Sequence, residues 1–138
     1  MRIWVIGALV VAVLGVAAYV RLAPGDPERW HVTSGVSGMG HAPRAGGHVW
    51  RGAGDRDALA RLDAIIRATP RTQVMAGSVG EGRITYVTRS AVWGFPDYTT
   101  LSLEGGTLEI YGRLRFGKAD LAVNRTRIEG WLALLGQG

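Results

Sequence analysis

The chain has 138 residues, contains no cysteine, and carries 16 basic against 11 acidic residues, a formal charge of +5. Without cysteine, disulfides and thiol catalysis are excluded. The basic residues are interspersed instead of clustered, which argues against nucleic-acid binding and leaves a general attraction to anionic surfaces. No metal or other cofactor is expected, because His31, His41 and His48 lack suitably spaced carboxylate or thiolate companions.

The first element is an uncharged apolar run over residues 3–20. As a helix it reaches about 27 Å, close to the ~30 Å hydrocarbon thickness of a bilayer. Its apolar side chains point all round the axis, which suits lipid on every side better than a protein core on one side. Residues 1–21 are therefore predicted to be a transmembrane anchor. The alternative is a cleaved signal peptide, because Val16-Ala17-Ala18 has small residues at the spacing that signal peptidase uses.

The positive charges on the two sides of the apolar run are nearly balanced, so they do not decide its orientation in the membrane. Arg2 precedes the run, whereas Arg21 and Arg29 follow it. An amino-terminal anchor ahead of a whole domain usually acts as an export signal. We therefore expect the domain to lie outside the cytoplasm.

Residues 22–54 are predicted to lack regular structure. Two prolines after the anchor stop any continuation of the helix, which indicates an extended juxtamembrane stalk. Residues 33–54 are rich in glycine and poor in large apolar side chains, a composition that buries too little surface to fix the backbone. We expect a loose loop there, in which Val49 and Trp50 form either a short strand or a plug.

Residues 55–138 are predicted to form one α+β domain. Apolar residues recur at helical spacing from Asp55 to Ala68 and from Asp120 to Leu135, with Asp120 as the N-cap of the second helix. Between these helices, four runs with strand character are separated by turns: residues 72–77, 83–92, 98–104 and 107–116. The predicted fold is a transmembrane helix followed by a roughly four-stranded antiparallel sheet with two helices on one face.

The last two strands are predicted to form a hairpin, because Gly105-Gly106 suits a two-residue turn that fixes the register. Leu101 then lies opposite Ile110, and Tyr98 opposite Arg113. One face is apolar and is expected to contact the core. The other face is polar and is expected to lie toward water or a partner. Its side chains are those of Tyr98, Thr100, Ser102, Glu109, Tyr111, Arg113 and Arg115.

Several stretches resemble the domain of unknown function 1499 family. They are RLRFGKADLAVNRTRIE at 113–129, RLAP at 21–24, RWHV at 29–32, ITYVTR at 84–89 and GFPDY at 94–98. Ala122 departs from the family, which more often has glycine there. The chain is most similar to the alphaproteobacterial form, in which a membrane helix commonly precedes the domain. The resemblance adds a reason to take the helix as a lasting tether, and it implies no activity. Together with the export argument above, we expect a single-pass protein of the bacterial inner membrane with a periplasmic carboxy-terminal domain.

A set of polar residues is the candidate site for a ligand or partner: Asp97, Tyr98, Tyr111, Arg113, Arg115, Asp120, Asn124, Arg125 and Arg127. Guanidinium groups near the free N–H groups of a helix start suit phosphate or carboxylate. In the structural alternative, Asp97 and Asp120 pair with arginines and pin the last helix to the sheet. The Tyr and Arg side chains of the sheet face suit a protein interface, or a face covered by the Gly-rich loop with Trp50 over it.

Two functions remain open from the sequence. The first is a non-enzymatic, membrane-anchored envelope module that binds a protein or a small anionic ligand through the polar sheet face and the start of the last helix. The alternative is a small envelope hydrolase that uses Asp97 or Asp120 with Arg113 and Arg115. A deep pocket lined by these carboxylates favours the hydrolase, whereas a filled, ion-paired cluster disfavours it.

Overall fold

A computed structural model describes residues 2–116 and 122–136. Within these residues it has α1 (Arg2–Leu22), α2 (Pro27–Trp30), β1 (Gly40–Arg44), β2 (Gly47–Ala53), α3 (Arg56–Arg67), β3 (Thr72–Ser78), β4 (Arg83–Arg89), β5 (Pro96–Glu104), β6 (Thr107–Leu114) and α4 (Val123–Leu135). The strands form one antiparallel sheet in the order β1-β2-β6-β5-β4-β3, and α3 and α4 cover one of its faces. The predicted α+β class is confirmed.

Helix α1 extends away from the domain with nearly all of its side chains exposed. It has 21 residues, and an 18-residue stretch within it has a mean hydropathy of 2.6, so it is long and apolar enough to cross a membrane. A signal sequence has the same length and composition. Its last turn contacts the domain closely, where Val20 is buried.

The core lies between the sheet and the helix pair α3 and α4. Asp55 caps α3 by accepting a hydrogen bond from the Ala58 amide at 2.9 Å. A polar pair lies within this core, in which the Tyr86 hydroxyl donates to Asp63 at 2.6 Å. Burial raises the pKa of Tyr86, so the phenol stays protonated and able to donate. The apolar core residues are Leu59, Leu62, Ile66, Ile84, Leu101, Leu108, Ile110, Ile128, Trp131, Leu132 and Leu135.

The register of the β5–β6 hairpin is as predicted. Leu101 pairs with Ile110, and Tyr98 pairs with Arg113. Gly105 and Gly106 both have positive φ angles, of 56° and 79°, as a primed two-residue turn requires. The turn residues alone therefore fixed which side chains share each face.

The predicted number of four strands is wrong, because the Gly-rich segment supplies two more. Residues expected to form a loose loop contain the β1–β2 hairpin, and β2 pairs along its whole length with β6. Glycine is required by this close pairing: a Cβ at Gly47 would overlap the Gly112 carbonyl oxygen. Trp50 packs against the helix-side core and not over the polar face. Composition misled here because pairing with the neighbouring strand β6 fixes the backbone of β2, and the few large apolar side chains of the hairpin are enough to bury it: Val49 is fully buried and Trp50 packs on the core.

The extended stalk predicted after α1 is not observed. Residues 23–36, here called the strap, lie across the polar face of the sheet. Trp30 stacks on Tyr98 with ring centroids 4.3 Å apart, and the Ser34 amide and hydroxyl donate to Glu109 at 2.8 and 2.9 Å. Gly25 allows the close approach, since a Cβ there would lie 2.8 Å from the Tyr98 hydroxyl. The polar face is therefore covered by the chain itself.

Helix α4 begins later than predicted, at Val123. The residue in the N-cap position is Ala122, whose side chain makes no capping hydrogen bond. Asp120, predicted as the cap, lies outside the described residues. Ala122 has a φ of 64°, in the left-handed region that disfavours side chains other than glycine. This conformation accounts for the glycine that the resemblance associates with this position.

Replacing Ala122 with glycine should stabilise the protein. Relief of the left-handed conformation gains about 1–2 kcal/mol, and the greater freedom of glycine in the unfolded chain offsets about 0.4–1 kcal/mol of it. The net gain expected is roughly 0.5–1 kcal/mol, or a rise of a few degrees in melting temperature. Thermal unfolding of the full chain in detergent measures this. Gly130→Ala controls for ordinary helix propensity, because a Cβ added at this helical glycine would have open space around it. A fall in melting temperature for A122G would contradict the left-handed conformation of Ala122.

Candidate functional site

Arg113 is the central polar residue beneath the strap. Its guanidinium donates to the Thr100 hydroxyl at 2.9 Å, to the Tyr111 carbonyl at 3.0 Å and to the Trp30 carbonyl. It also lies 4.3 Å from the centre of the Tyr111 ring and 5.5 Å from that of Trp30. Burial lowers the pKa of Arg113 to about 10, so the group remains charged at neutral pH. Its donors are directed at the strap and the sheet.

Two more predicted residues join Arg113 on this face. Tyr98 is buried under Trp30, and Arg115 donates to its hydroxyl at 3.1 Å. Arg115 also donates to the Ala23 carbonyl at 3.2 Å, at the start of the strap. The structure thus brings together Tyr98, Tyr111, Arg113 and Arg115, and it fills the space between them with residues of the strap. A covered face agrees with one of the sequence alternatives, although most of the cover comes from residues 23–32, only residues 33–36 come from the predicted Gly-rich loop, and Trp50 lies on the other face.

A series of hydrogen-bonded hydroxyl groups connects Arg113 to His31 of the strap. Thr100 and Thr85 hydroxyl oxygens are 2.9 Å apart, and Thr85 is 2.7 Å from Nδ1 of His31. Burial lowers the pKa of His31, with a smaller contribution from the positive charge of Arg83. The neutral imidazole is therefore the form that suits the covered face.

The stability of the strap is expected to fall as pH falls below about 6.5, the ordinary pKa of histidine. The folded state has the lower pKa for His31, so the unfolded state binds more protons in this range and protonation favours release. The stability that neutral His31 contributes is fully present above its pKa in the unfolded chain. It is lost as pH falls toward the lower pKa that His31 has in the folded protein. Melting temperatures of the full chain between pH 5 and 8 measure the effect, and His31→Gln should flatten the profile. An unchanged slope in H31Q would assign the pH dependence to another group.

The remaining described residues of the predicted set, that is all but Asp120, lie on the helix side of the sheet. Asp97 accepts a hydrogen bond from Arg127 of α4 at 3.2 Å, and Arg127 also contacts Oδ1 of Asn124 at 3.3 Å. Arg125 is exposed and pairs with Glu129 at 2.9 Å. The Asp97–Arg127 pair pins α4 to the sheet, as the structural alternative predicts. The sheet therefore divides the predicted set, with Asp97, Asn124 and Arg127 on one side and the Arg113 group on the other.

The sequence reasoning missed a second cluster, at the junction between α1 and the domain. Residues 91–95, here called the aromatic loop, are tied to the end of α1. Arg21 donates to the carbonyl oxygens of Val92 and Trp93, at 2.5 and 3.3 Å. Arg89 donates to the carbonyl oxygens of Val20 and Gly94, at 3.1 and 3.0 Å. The signal in the sequence is the run of apolar residues in a loop between two strands.

Two cavities flank the aromatic loop. The first is an apolar groove of about 490 Å³ between α1 and the loop, lined by Ala12, Val13, Val16, Ala17, Val20, Trp93 and Phe95. The second is a polar pocket of about 540 Å³, and three arginines line it: Arg21, Arg71 and Arg89. Arg71 donates through Nε to the Arg89 carbonyl at 3.0 Å, which holds two of these arginines together.

A family model described as "Protein of unknown function (DUF1499)" matches residues 44–135, which is most of the chain. The chain belongs to this family. A comparison with curated proteins finds no match. The matched region of this DUF1499 protein includes the sheet partners of the strap, Tyr98, Glu109 and Arg113, but not the strap itself.

The histidines of this DUF1499 protein lie in two places. His31 is on the polar face, whereas His41 and His48 form a pair in the β1–β2 hairpin with Nδ1 and Nε2 2.8 Å apart. Among residues 2–116 and 122–136, no three side chains of the metal-ligating types converge.

Proposed function

We propose that this DUF1499 protein is a non-enzymatic, membrane-anchored envelope protein whose domain lies against the bilayer and acts there as an interaction module. The observation that carries the proposal is the position of the aromatic loop beside α1. Val92, Trp93 and Phe95 have 72%, 52% and 42% of their surface exposed, and two of them line a groove with the helix. Exposed apolar and aromatic side chains beside a membrane-crossing helix suit the bilayer interface.

The anchoring of the domain supports the same proposal. A flexible stalk would let the domain move away from the membrane, whereas here the chain enters the strap directly after α1. Ala23 is buried and receives a hydrogen bond from Arg115, so few residues separate the helix from the sheet. In this proposal α1 stays attached as a single-pass span of the bacterial inner membrane, the domain is periplasmic, and the protein is of the alphaproteobacterial membrane-anchored form.

The hydrolase alternative has less support from the arrangement of its residues. Asp97 is paired with Arg127 on the helix side of the sheet, whereas Arg113 and Arg115 lie under the strap on the other side. A carboxylate and guanidinium that act on one substrate must reach the same cleft. The polar face is occupied by the strap, so we also propose that its Tyr and Arg side chains stabilise the protein and that external partners bind elsewhere.

Spin-label depth measurements on the full chain in lipid vesicles test the proposal. The sequence has no cysteine, so Trp93→Cys introduces a single labelling site. A nitroxide there should be more accessible to oxygen than to a water-soluble nickel complex. Leu134→Cys is the control, because Leu134 is 73% exposed on α4. A label at position 93 as accessible to the nickel complex as one at 134 would overturn the proposal.

A further inference from the structure

We infer that the junction between α1 and the domain binds one anionic phospholipid, with its phosphate among Arg21, Arg71 and Arg89 and an acyl chain in the apolar groove. The inference rests on the proposed function, because it takes α1 to be a membrane span. It adds a ligand class and a site to the contact between the domain and the bilayer.

The residues that line the groove indicate which molecule occupies it. One wall is α1 between Ala12 and Val20, and the other is formed by Trp93 and Phe95. A groove whose wall is a membrane-spanning helix is filled by whatever surrounds that helix at the same depth. In the apolar part of a bilayer, this is a lipid acyl chain. The aromatic rings complete a slot that holds the chain against the helix.

The polar pocket has the charge that a phosphate diester requires. Its three arginines donate to backbone carbonyl groups, and no acidic side chain lines the described part of the pocket. Within the described residues, Arg71 donates through Nε alone, so its two terminal nitrogens remain for a ligand. Guanidinium groups bind phosphate oxygens in a forked geometry, and this explains why three of them gather without a carboxylate.

The two cavities lie at the depths that a phospholipid would need. Arg21 directly follows the apolar run of α1, which places it where lipid headgroups begin. Both cavities adjoin the aromatic loop, since Trp93 and Phe95 line the groove and Gly94 lines the pocket. A headgroup in the pocket and a chain in the groove therefore fit a single lipid molecule.

The backbone holds Arg71 in place for this role. Its φ of 56° lies in the left-handed region, which favours glycine, yet the residue is an arginine. The Arg89 amide donates to the Arg71 carbonyl at 2.9 Å, and Nε of Arg71 donates back to the Arg89 carbonyl. These reciprocal bonds keep the two guanidinium groups on the same pocket.

Native mass spectrometry of the full chain, released from vesicles of equal parts phosphatidylglycerol and phosphatidylcholine, tests the inference. The wild type should retain one phosphatidylglycerol in preference to phosphatidylcholine. Arg71→Gln should reduce this retention about tenfold, the factor that corresponds to one charge-assisted hydrogen bond. Arg125→Gln removes an exposed arginine on α4, outside the pocket, and should leave retention unchanged. Arg71→Gln/Arg89→Gln should abolish it, with the melting temperature of each variant recorded as a check on folding.

Three results would overturn the inference: equal retention of both lipids by the wild type, equal retention by R71Q and R125Q, or displacement of the lipid by excess inorganic phosphate. The last result would identify free phosphate as the ligand. If lipid preference is absent while the spin label at position 93 is in the bilayer, only the lipid site fails. If the label is in water, the proposed function fails with it.

Discussion

Replacing Trp30 with alanine is expected to cost about 3–5 kcal/mol of unfolding free energy, the largest effect of any substitution proposed for this protein. Trp30 is 8% exposed, stacks on Tyr98, and contacts the guanidinium of Arg113. Its loss removes an aromatic stack worth about 0.5–1.5 kcal/mol beyond the buried area. It also exposes the polar face to water, so we expect the strap to detach before the sheet unfolds.

Thermal unfolding and limited trypsin digestion of the full chain in detergent measure the two consequences. The melting temperature should fall by about 6 °C or more, a change that follows from roughly 2–8 °C per kcal/mol for domains of this size. Cleavage after Arg29, within the strap, should become rapid. Trp4→Ala is the matched control, because Trp4 is 82% exposed on α1 and contacts no part of the domain core. If W30A melts and is cleaved like W4A, the strap is not part of the stable fold.

Replacing Arg113 with methionine is expected to lower the unfolding free energy by about 2–4 kcal/mol. The substitution keeps an unbranched side chain of similar length, but it removes the guanidinium donor to the Trp30 carbonyl and the Thr100 hydroxyl beneath the strap. The Trp30 carbonyl then keeps only its hydrogen bond from the Thr100 hydroxyl, at 3.1 Å. Each hydrogen bond lost from a charged donor costs about 1.5–3 kcal/mol. Part of this cost is offset, because burying a guanidinium is itself unfavourable, as the lowered pKa of Arg113 indicates.

Chemical unfolding of the full chain measures the loss, with Arg125→Met as the control. Arg125 is an exposed arginine that pairs only with Glu129 in the described structure, so its substitution should change stability by less than about 1 kcal/mol. Binding of an external ligand through an open Arg and Tyr face predicts the opposite result. In that case R113M would lose the ligand and keep the stability of the wild type.

The local parts of the fold were predictable from the sequence. Gly105-Gly106 fixes a turn, and the period of two then places Leu101 and Tyr98 on opposite faces without further information. The same alternation also places Asp97 on the helix side, opposite to Arg113. The candidate site could therefore have been divided correctly from the sequence alone, because neighbouring residues of a strand cannot reach the same face.

The non-local parts could not be predicted in this way. Prolines near the end of α1 show where the helix stops, but nothing in their spacing shows that the chain then crosses the sheet. Alternation marks the face of Arg113 as polar and does not distinguish a solvated face from one covered by Trp30 and Ser34. The β1–β2 hairpin was missed for a related reason: its glycines are required by the closeness of β6, which is distant in sequence.

The central claim is that α1, the strap and the sheet form one unit, which holds the aromatic loop against the helix. Dipolar broadening between nitroxides at Ala17→Cys and Trp93→Cys, in the full chain in vesicles, tests it most directly. Both residues line the same groove, so strong broadening is expected. A pair at Ala17 and Leu134 is the control, since Leu134 lies on α4 outside this groove, and its spectrum should show little broadening. A 17/93 spectrum equal to the sum of its singly labelled spectra would show that the domain is free of its anchor, and would contradict the account.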